Sequence, residues 1–289
     1  MTDPRTAHHS DGFEKQDLTQ PGLTDEMSLR PDHGEETYQG SGALEGRRAL
    51  ITGGDSGIGR AVAIAYAREG ADVAIVALPE EEADARETAE WIEKAGSRAL
   101  VHLVDIRDED AARKLVDDTA EEFGGLDILV SNAGFQDVHG TIDKLETAKL
   151  DRTFRTNIYA MTWIVGQAMQ YLQPGASVIV TSSVQAYNPG APLIDYAMTK
   201  AAQVAFVKGL AVEFGEKGIR INAVAPGPVW TPLIPATSWP DKLPEFGQDV
   251  PLERAGQPAE LAGAYVYLAS DAASYVSGAV LPVTGGKTL

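Results

Sequence analysis

The chain has 289 residues, 44% of them hydrophobic, and 42 Asp and Glu against 24 Lys and Arg give a formal net charge of −18. That apolar share and length exclude a mostly disordered polymer and suit one large domain or two small ones. The acidic balance argues against nucleic acid as a main partner, which needs clustered cations. Without any cysteine, disulfides, thiolate metal sites and a cysteine nucleophile are excluded together. The first forty residues hold no stretch resembling a signal peptide, and no run reaches the roughly 18 apolar residues of a membrane span. The expectation is a soluble, cytoplasmic protein without a membrane partner.

Residues 1–42 carry nine acids, three bases, three histidines (His8, His9, His33) and three prolines. So few large apolar groups cannot offset ordering entropy, and this acidic tail is expected to be extended or disordered by itself. Phe13, Leu18, Leu23, Met27, Leu29 and Tyr38 keep a second option open, an arm laid along another surface. His8 and His9 lack further ligands at useful spacing, and no metal site is expected.

From residue 47, short apolar runs alternate with helical periods. A strand at 48–52 leads through a Gly-rich turn into a helix at 58–68, then come a strand at 72–77 and a helix from about 80 to 94. A strand at 99–104, a helix at 109–123, a strand at 126–131 and a long helical stretch over roughly 147–172 follow. Strands at 177–181, 219–224 and 279–283 alternate with helices at about 195–215 and 258–269. Strands apolar on both faces, separated by helices, imply a parallel sheet covered on both sides. The fold class is α/β: a single doubly wound, Rossmann-like sheet of about seven strands with helices on both faces. Residues 225–257, rich in proline, read as a functional lid rather than a spacer.

In the first turn, Gly53 permits a tight exit from the strand and Gly57 lets backbone approach a pyrophosphate. Gly59 lets the helix pack close to the sheet, and free N–H groups at the helix start offer an anion site. Gly53, Asp55, Ser56, Gly57, Ile58 and Gly59 are therefore the candidate dinucleotide contacts. Further on, Tyr196 and Lys200 are four residues apart at a helix start, on one face. Ser183 lies just beyond the apolar strand 177–181, at the carboxyl edge where doubly wound sheets bind ligands. A nearby cation favours a phenolate, so Lys200 can tune Tyr196, while Ser183 holds a substrate oxygen.

The Gly-x-x-x-Gly-x-Gly spacing after Thr52, with Ser183, Tyr196 and Lys200, resembles the short-chain dehydrogenase/reductase family. Residue by residue, the resemblance implies catalytic roles for Ser183, Tyr196 and Lys200, and for Asn157 in holding a water of the proton relay. It implies cofactor contacts from Asp105 and Ile106, from Asn132, Ala133 and Gly134, from Tyr196 and Lys200, and from Pro226, Gly227, Val229 and Thr231. Asn132 has an equal reading as a sheet-edge clamp. The resemblance covers about 44–289, so 43–289 is expected to be one dinucleotide-binding catalytic domain. At finer grain it reaches tail-extended bacterial oxidoreductases related to plant glucose and ribitol dehydrogenase homologues. That is carried by Ala77 to Glu82, Asn132 to Gln136 and Gly227 to Pro235.

The activity so implied is NAD(P)-dependent hydride transfer to or from a small aldehyde, ketone, sugar or polyol, in a homotetramer or homodimer. NAD users of the family often end the second strand with Asp, and NADP users place Arg or Lys beside it or before the second glycine. Ala77, Leu78 and Ser56 provide neither device, and the balance leans to NAD(H). Glu80 to Glu82 would oppose a 2′-phosphate, although acids at a helix start are their plainer reading. Arg60 reaches the phosphates or solvates its helix. Gln136, Gln185, Tyr187 and Trp230 are the expected substrate wall, with Leu233 beside them; Trp239 reads better as loop packing. A non-catalytic dinucleotide-binding regulator on the same fold is the alternative, and the complete set of Asn157, Ser183, Tyr196 and Lys200 argues against it. His102 and His139 are isolated, which, without cysteines, excludes a zinc alcohol dehydrogenase.

Overall fold

The computed structural model describes residues 2–289. The apolar runs become β1 (Arg48–Thr52), β2 (Asp72–Ala77), β3 (Ala99–Leu103), β4 (Leu126–Ser131), β5 (Leu172–Thr181), β6 (Arg220–Pro226) and β7 (Val280–Val283). They form one sheet in the order β3-β2-β1-β4-β5-β6-β7, every neighbouring pair parallel. The order reverses between β1 and β4, so a crevice opens beyond their carboxyl ends.

Side chains alternate across the pleat, and both faces are apolar. Ile51 and Ile75 pack on one face with Tyr66 of α1 (Gly57–Arg68) and Leu261 and Tyr265 of a helix near the end of the chain, Pro258–Ala269. Leu50 and Val178 face the other way, onto Leu115 of the helix Glu109–Phe123, Ile164 and Phe214. Each such aliphatic or aromatic side chain contributes roughly 1.5–3 kcal/mol when fully buried. A further helix, Glu82–Lys94, follows β2.

The stretch 147–172 is not one helix. It runs as Thr147–Phe154, a π-helical turn Arg155–Tyr159, and Ala160–Ala168. β5 then starts at Leu172, five residues earlier than its apolar run suggests. Leu172 pairs with Leu126, but Ser177 pairs with Ile128, so the intervening residues loop out of register. Gln173, Pro174 and Gly175 are exposed there, and they hide the strand's start from a reading of apolar periodicity.

Residues 2–46 lie along the body as an extended arm without an α-helix. Phe13 stacks on Trp230, ring centres 3.7 Å apart and planes 7° from parallel. Both are buried with Met27, Leu243 and Ala255 in a small apolar cluster of their own. Polar contacts continue the docking. Trp230 Nε1 donates to Leu29 O at 2.7 Å, Thr24 N–H to Asp84 Oδ2 at 2.9 Å, and the Tyr38 hydroxyl to Glu69 at 2.6 Å. Few apolar anchors suffice because the body supplies their partners. No helix among the described residues is long and apolar enough to cross a membrane.

Candidate active site

β5 ends at Thr181, and the chain turns so that Ser183 sits at the sheet's carboxyl edge. The helix Ile194–Glu216 starts beside it and presents Tyr196 and Lys200 from successive turns. All three line a cavity of ≈670 Å³, whose far wall is the glycine turn after β1. Ser183 Oγ accepts the Gln185 N–H at 3.1 Å, and its hydroxyl favours the Tyr196 phenolate. Burial outweighs that influence and pushes the phenol up to about 12. Lys200 Nζ lies 5.2 Å from the Tyr196 ring centre and donates to Thr181 O at 2.7 Å. Burial pulls its ammonium down to about 7. In the protein alone, then, the expected acidification of Tyr196 is not seen. Removal from water penalises the charged form of both partners, and a half-neutral lysine gives the phenolate little help.

The glycine turn leaves the start of α1 open. Ser56 precedes it without a side-chain cap, so the first-turn N–H groups are free to meet an anion. Gly57 has φ +49, and a Cβ there would lie 3.0 Å from Thr231, so the 225–257 segment lies directly on this turn. Gly53, Asp55, Ser56, Gly57 and Ile58 wall the cavity, as do Asp105, Ile106, Ala133 and Gly134. Pro226, Gly227, Val229 and Thr231 close it from the β6 side. Asn132 lines it too, while acting as a clamp: Nδ2 donates to Thr52 O at 3.2 Å and Gly53 O at 3.0 Å, and Oδ1 accepts from Thr181 at 3.1 Å.

Some expected site residues do not reach the cavity. Gly59 lies behind it, where a Cβ would sit 1.7 Å from Gly53 O, so its missing side chain serves helix-to-strand packing. Asn157 is fully buried behind Phe135, with Oδ1 on the Phe135 N–H at 2.7 Å and Nδ2 on Phe135 O at 2.9 Å and Thr199 at 3.0 Å. Trp230 turns away from the substrate side because Phe13 and Leu29 of the arm hold it. Tyr187 ends the 3-10 turn Val184–Ala186, which carries it off the wall. Gln136 and Gln185 do line the cavity, with Leu233 and also Trp239.

Arg60 does neither thing expected of it. It is wholly buried and holds the glycine turn from beneath, donating to Asp55 O at 2.7 Å, Asp84 O at 3.0 Å and Glu87 at 3.0 Å. Of the three glutamates after β2, Glu81 reaches the cavity, with Oε2 accepting the Leu78 N–H at 2.8 Å. Asp55 stands in the same part of the cavity, and its buried Oδ2 has no partner among the described residues. Burial, and each carboxyl's repulsion from other acids nearby, hold both well above the usual carboxylate range. Asp105 instead pairs with Arg107, which lowers it. Among the wall residues missed in the sequence are Arg107, Arg152 and the arm's Gln20, Pro21 and Gly22. For the arm, the Gln-Pro-Gly turn was the available signal.

A hydroxyl, a phenol and an ammonium converging on one cavity can hold an oxygen and pass it a proton. An uncapped helix start at the opposite wall, with no side chain at Gly53 or Gly57, fits a dinucleotide pyrophosphate. Comparison with known proteins agrees. A family profile described as Enoyl-(Acyl carrier protein) reductase matches residues 53–288. Uncharacterized oxidoreductase YghA of Escherichia coli (strain K12) is 50% identical over 290 residues, covering 100% of this chain and 99% of that one. Glucose and ribitol dehydrogenase of Daucus carota is 44% identical over 273 residues, 93% of this chain and 94% of that one. A crystal structure of a short chain dehydrogenase from Burkholderia cenocepacia J2315 in complex with NADP superposes with TM-score 0.79 at 35% identity, covering 84% of this chain and 98% of its own. With the sheet order, the open glycine turn and kinship along its whole length in agreement, the chain belongs to the short-chain dehydrogenase/reductase family of oxidoreductases, which work with a nicotinamide dinucleotide.

Proposed function

We propose that this protein is an NAD(H)-dependent oxidoreductase that interconverts a small polar alcohol and its aldehyde or ketone, sugars and polyols included. One observation carries the reading: Ser183, Tyr196 and Lys200 converge on the same cavity as the open glycine turn. A bound nicotinamide supplies the hydride acceptor or donor. Ser183 holds the substrate oxygen by hydrogen bonding, and Tyr196 takes the hydroxyl proton in oxidation or returns it in reduction. Lys200, when charged, favours the phenolate. Asn157 acts behind them, fixing the loop at Phe135 against Thr199, next to Lys200. Gln136 and Gln185 offer amides for a hydroxyl next to the reacting carbon, and Leu233 and Trp239 back them with apolar surface. The name of the carrot relative points to the same substrates.

For the cofactor, Ser56, Ala77 and Leu78 supply no cation, while Asp55 and Glu81 present carboxyl groups to the cavity. These accept hydrogen bonds from ribose hydroxyls and offer a 2′-phosphate no cationic partner. The Burkholderia protein holds NADP, so the preference is assigned from this chain's own residues. A homotetramer, or a homodimer, is part of the proposal. Tyr159, Met198 and Val212, exposed on helices around 147–168 and 194–216, suit contact with a second copy.

A panel of aldehydes, sugars and polyols, followed by reduced-nicotinamide absorbance with each cofactor, tests the reading. Turnover of at least one polar substrate is expected, faster with NAD(H). Tyr196→Phe is expected to lose about 10²- to 10⁴-fold in rate while still binding cofactor. Turnover unaltered by that change would refute the mechanism.

A further inference from the structure

Gln20, Pro21 and Gly22 belong to the arm, yet they wall the same cavity as Gly57 and Tyr196. Gln20 ties two of its borders together. Nε2 donates to Gln136 O at 2.9 Å and to Ala236 O at 2.8 Å. Gln136 follows β4 on the rim, and Ala236 belongs to the lid, so one side chain joins rim to lid. With both amide hydrogens committed, the bridge exists only while those two carbonyls stay together.

The layers beneath are equally close. A Cβ on Gly22 would lie 2.5 Å from Pro232 O, and one on Gly57 would lie 3.0 Å from Thr231 and 3.9 Å from Pro232. The arm thus rests on the lid, and the lid rests on the glycine turn. On one side of Gln20 the strap is anchored by the Phe13–Trp230 stack and the Leu18 N–H on Pro235 O at 3.1 Å. On the other side Thr24 bonds Asp84, and Arg30 pairs with Glu87 of the helix that follows β2.

We infer that the arm is a strap that retains the dinucleotide, with Gln20 as the positioning residue that latches the lid to the rim. The inference rests on the dinucleotide reading above. A nucleotide seated on the glycine turn leaves only when Thr231 and Pro232 move off it, and that motion separates Ala236 from Gln136. Because coupling between two sites is reciprocal, bound cofactor must also hold the arm in place.

The test measures the dissociation constant of NADH by calorimetry, and arm cleavage by trypsin after Lys15 with and without NADH. Two net hydrogen bonds correspond to about 5- to 150-fold. Gln20→Ala is expected to weaken NADH by that factor. Gln20→Met keeps the size but lacks the donors, and it should behave like alanine. Saturating NADH is expected to slow cleavage of the wild type and to protect both variants less. Wild-type affinity in Gln20→Met, or cleavage indifferent to NADH in the wild type, would overturn the strap. A wild type that binds no dinucleotide would instead strike the reading beneath it. Thermal unfolding of each variant checks that the fold is intact.

Discussion

Asn157 pairs with Phe135 as a neighbouring strand would, accepting its N–H at 2.7 Å and donating to its carbonyl at 2.9 Å. The same amide reaches Thr199 at 3.0 Å, and Gln203 Nε2 donates to the Asn157 carbonyl at 2.9 Å. One buried side chain therefore ties the π-helical turn to the rim after β4 and to the helix that carries Tyr196 and Lys200. π-helical turns often mark functional sites because they re-aim a side chain that regular helix would misplace.

Asn157→Ala would strand the Phe135 amide group and leave Thr199 with one partner fewer. A cost of about 2–4 kcal/mol is expected, lowering Tm by roughly 5–10 °C. Differential scanning calorimetry measures it, and a variant melting with the wild type would show the clasp to be dispensable.

The Tyr196 phenol lies at about 12 in the protein alone, so it is almost wholly protonated near neutrality. Oxidation needs the phenolate, whose share grows tenfold with each pH unit below the pKa; reduction needs the phenol, already abundant. Initial rates of oxidation are expected to climb with pH between 6 and 9 while reduction stays nearly flat. Parallel profiles in both directions would contradict Tyr196 as the proton carrier.

Lys200 is drawn from an ordinary 10.5 to about 7 by burial. Between those values the unfolded chain binds a proton that the folded chain releases, so this residue's contribution to stability rises with pH across that window. Below about 7 both states hold the proton, and the folded state keeps a charge out of water. Without cofactor, the wild type should gain stability relative to Lys200→Met from pH 7 to 10, by up to about 1.4 kcal/mol per unit. Chemical denaturation at pH 6 and 9 reads this; a difference constant with pH would place the lysine in a wetter site.

If Glu81 and Asp55 accept the ribose hydroxyls as proposed, removing one acceptor and adding a cation should relax the choice. Leu78→Arg with Glu81→Gln is expected to shift the NAD(H)-to-NADP(H) ratio of kcat/KM by at least about tenfold toward NADP(H). An unaltered ratio would show that these wall positions do not contact the ribose.

Fold class and the converging Ser183, Tyr196 and Lys200 were legible because apolar periodicity and motif spacing are local in the chain. The glycine turn was legible too, including the packing role of Gly59, which stands behind the cavity rather than in its wall. Trp230 was misplaced for a different reason. Nothing near it in sequence shows that Phe13, more than two hundred positions away, covers its ring. Glu81 was ambiguous because a helix-start acid and a cavity acid look alike until the turn after Pro79 sets its direction. The early start of β5 was hidden by Pro174 and Gly175, which break the apolar pattern but leave the pairing of Leu172 with Leu126.

The stacked pair Phe13 and Trp230 has an optical consequence. An indole shielded from water, with its N–H fixed on the Leu29 carbonyl, emits at the blue end of the tryptophan range, and lifting the arm would wet it and shift it red. The protein thereby carries an intrinsic fluorophore for the attachment of its own amino-terminal segment.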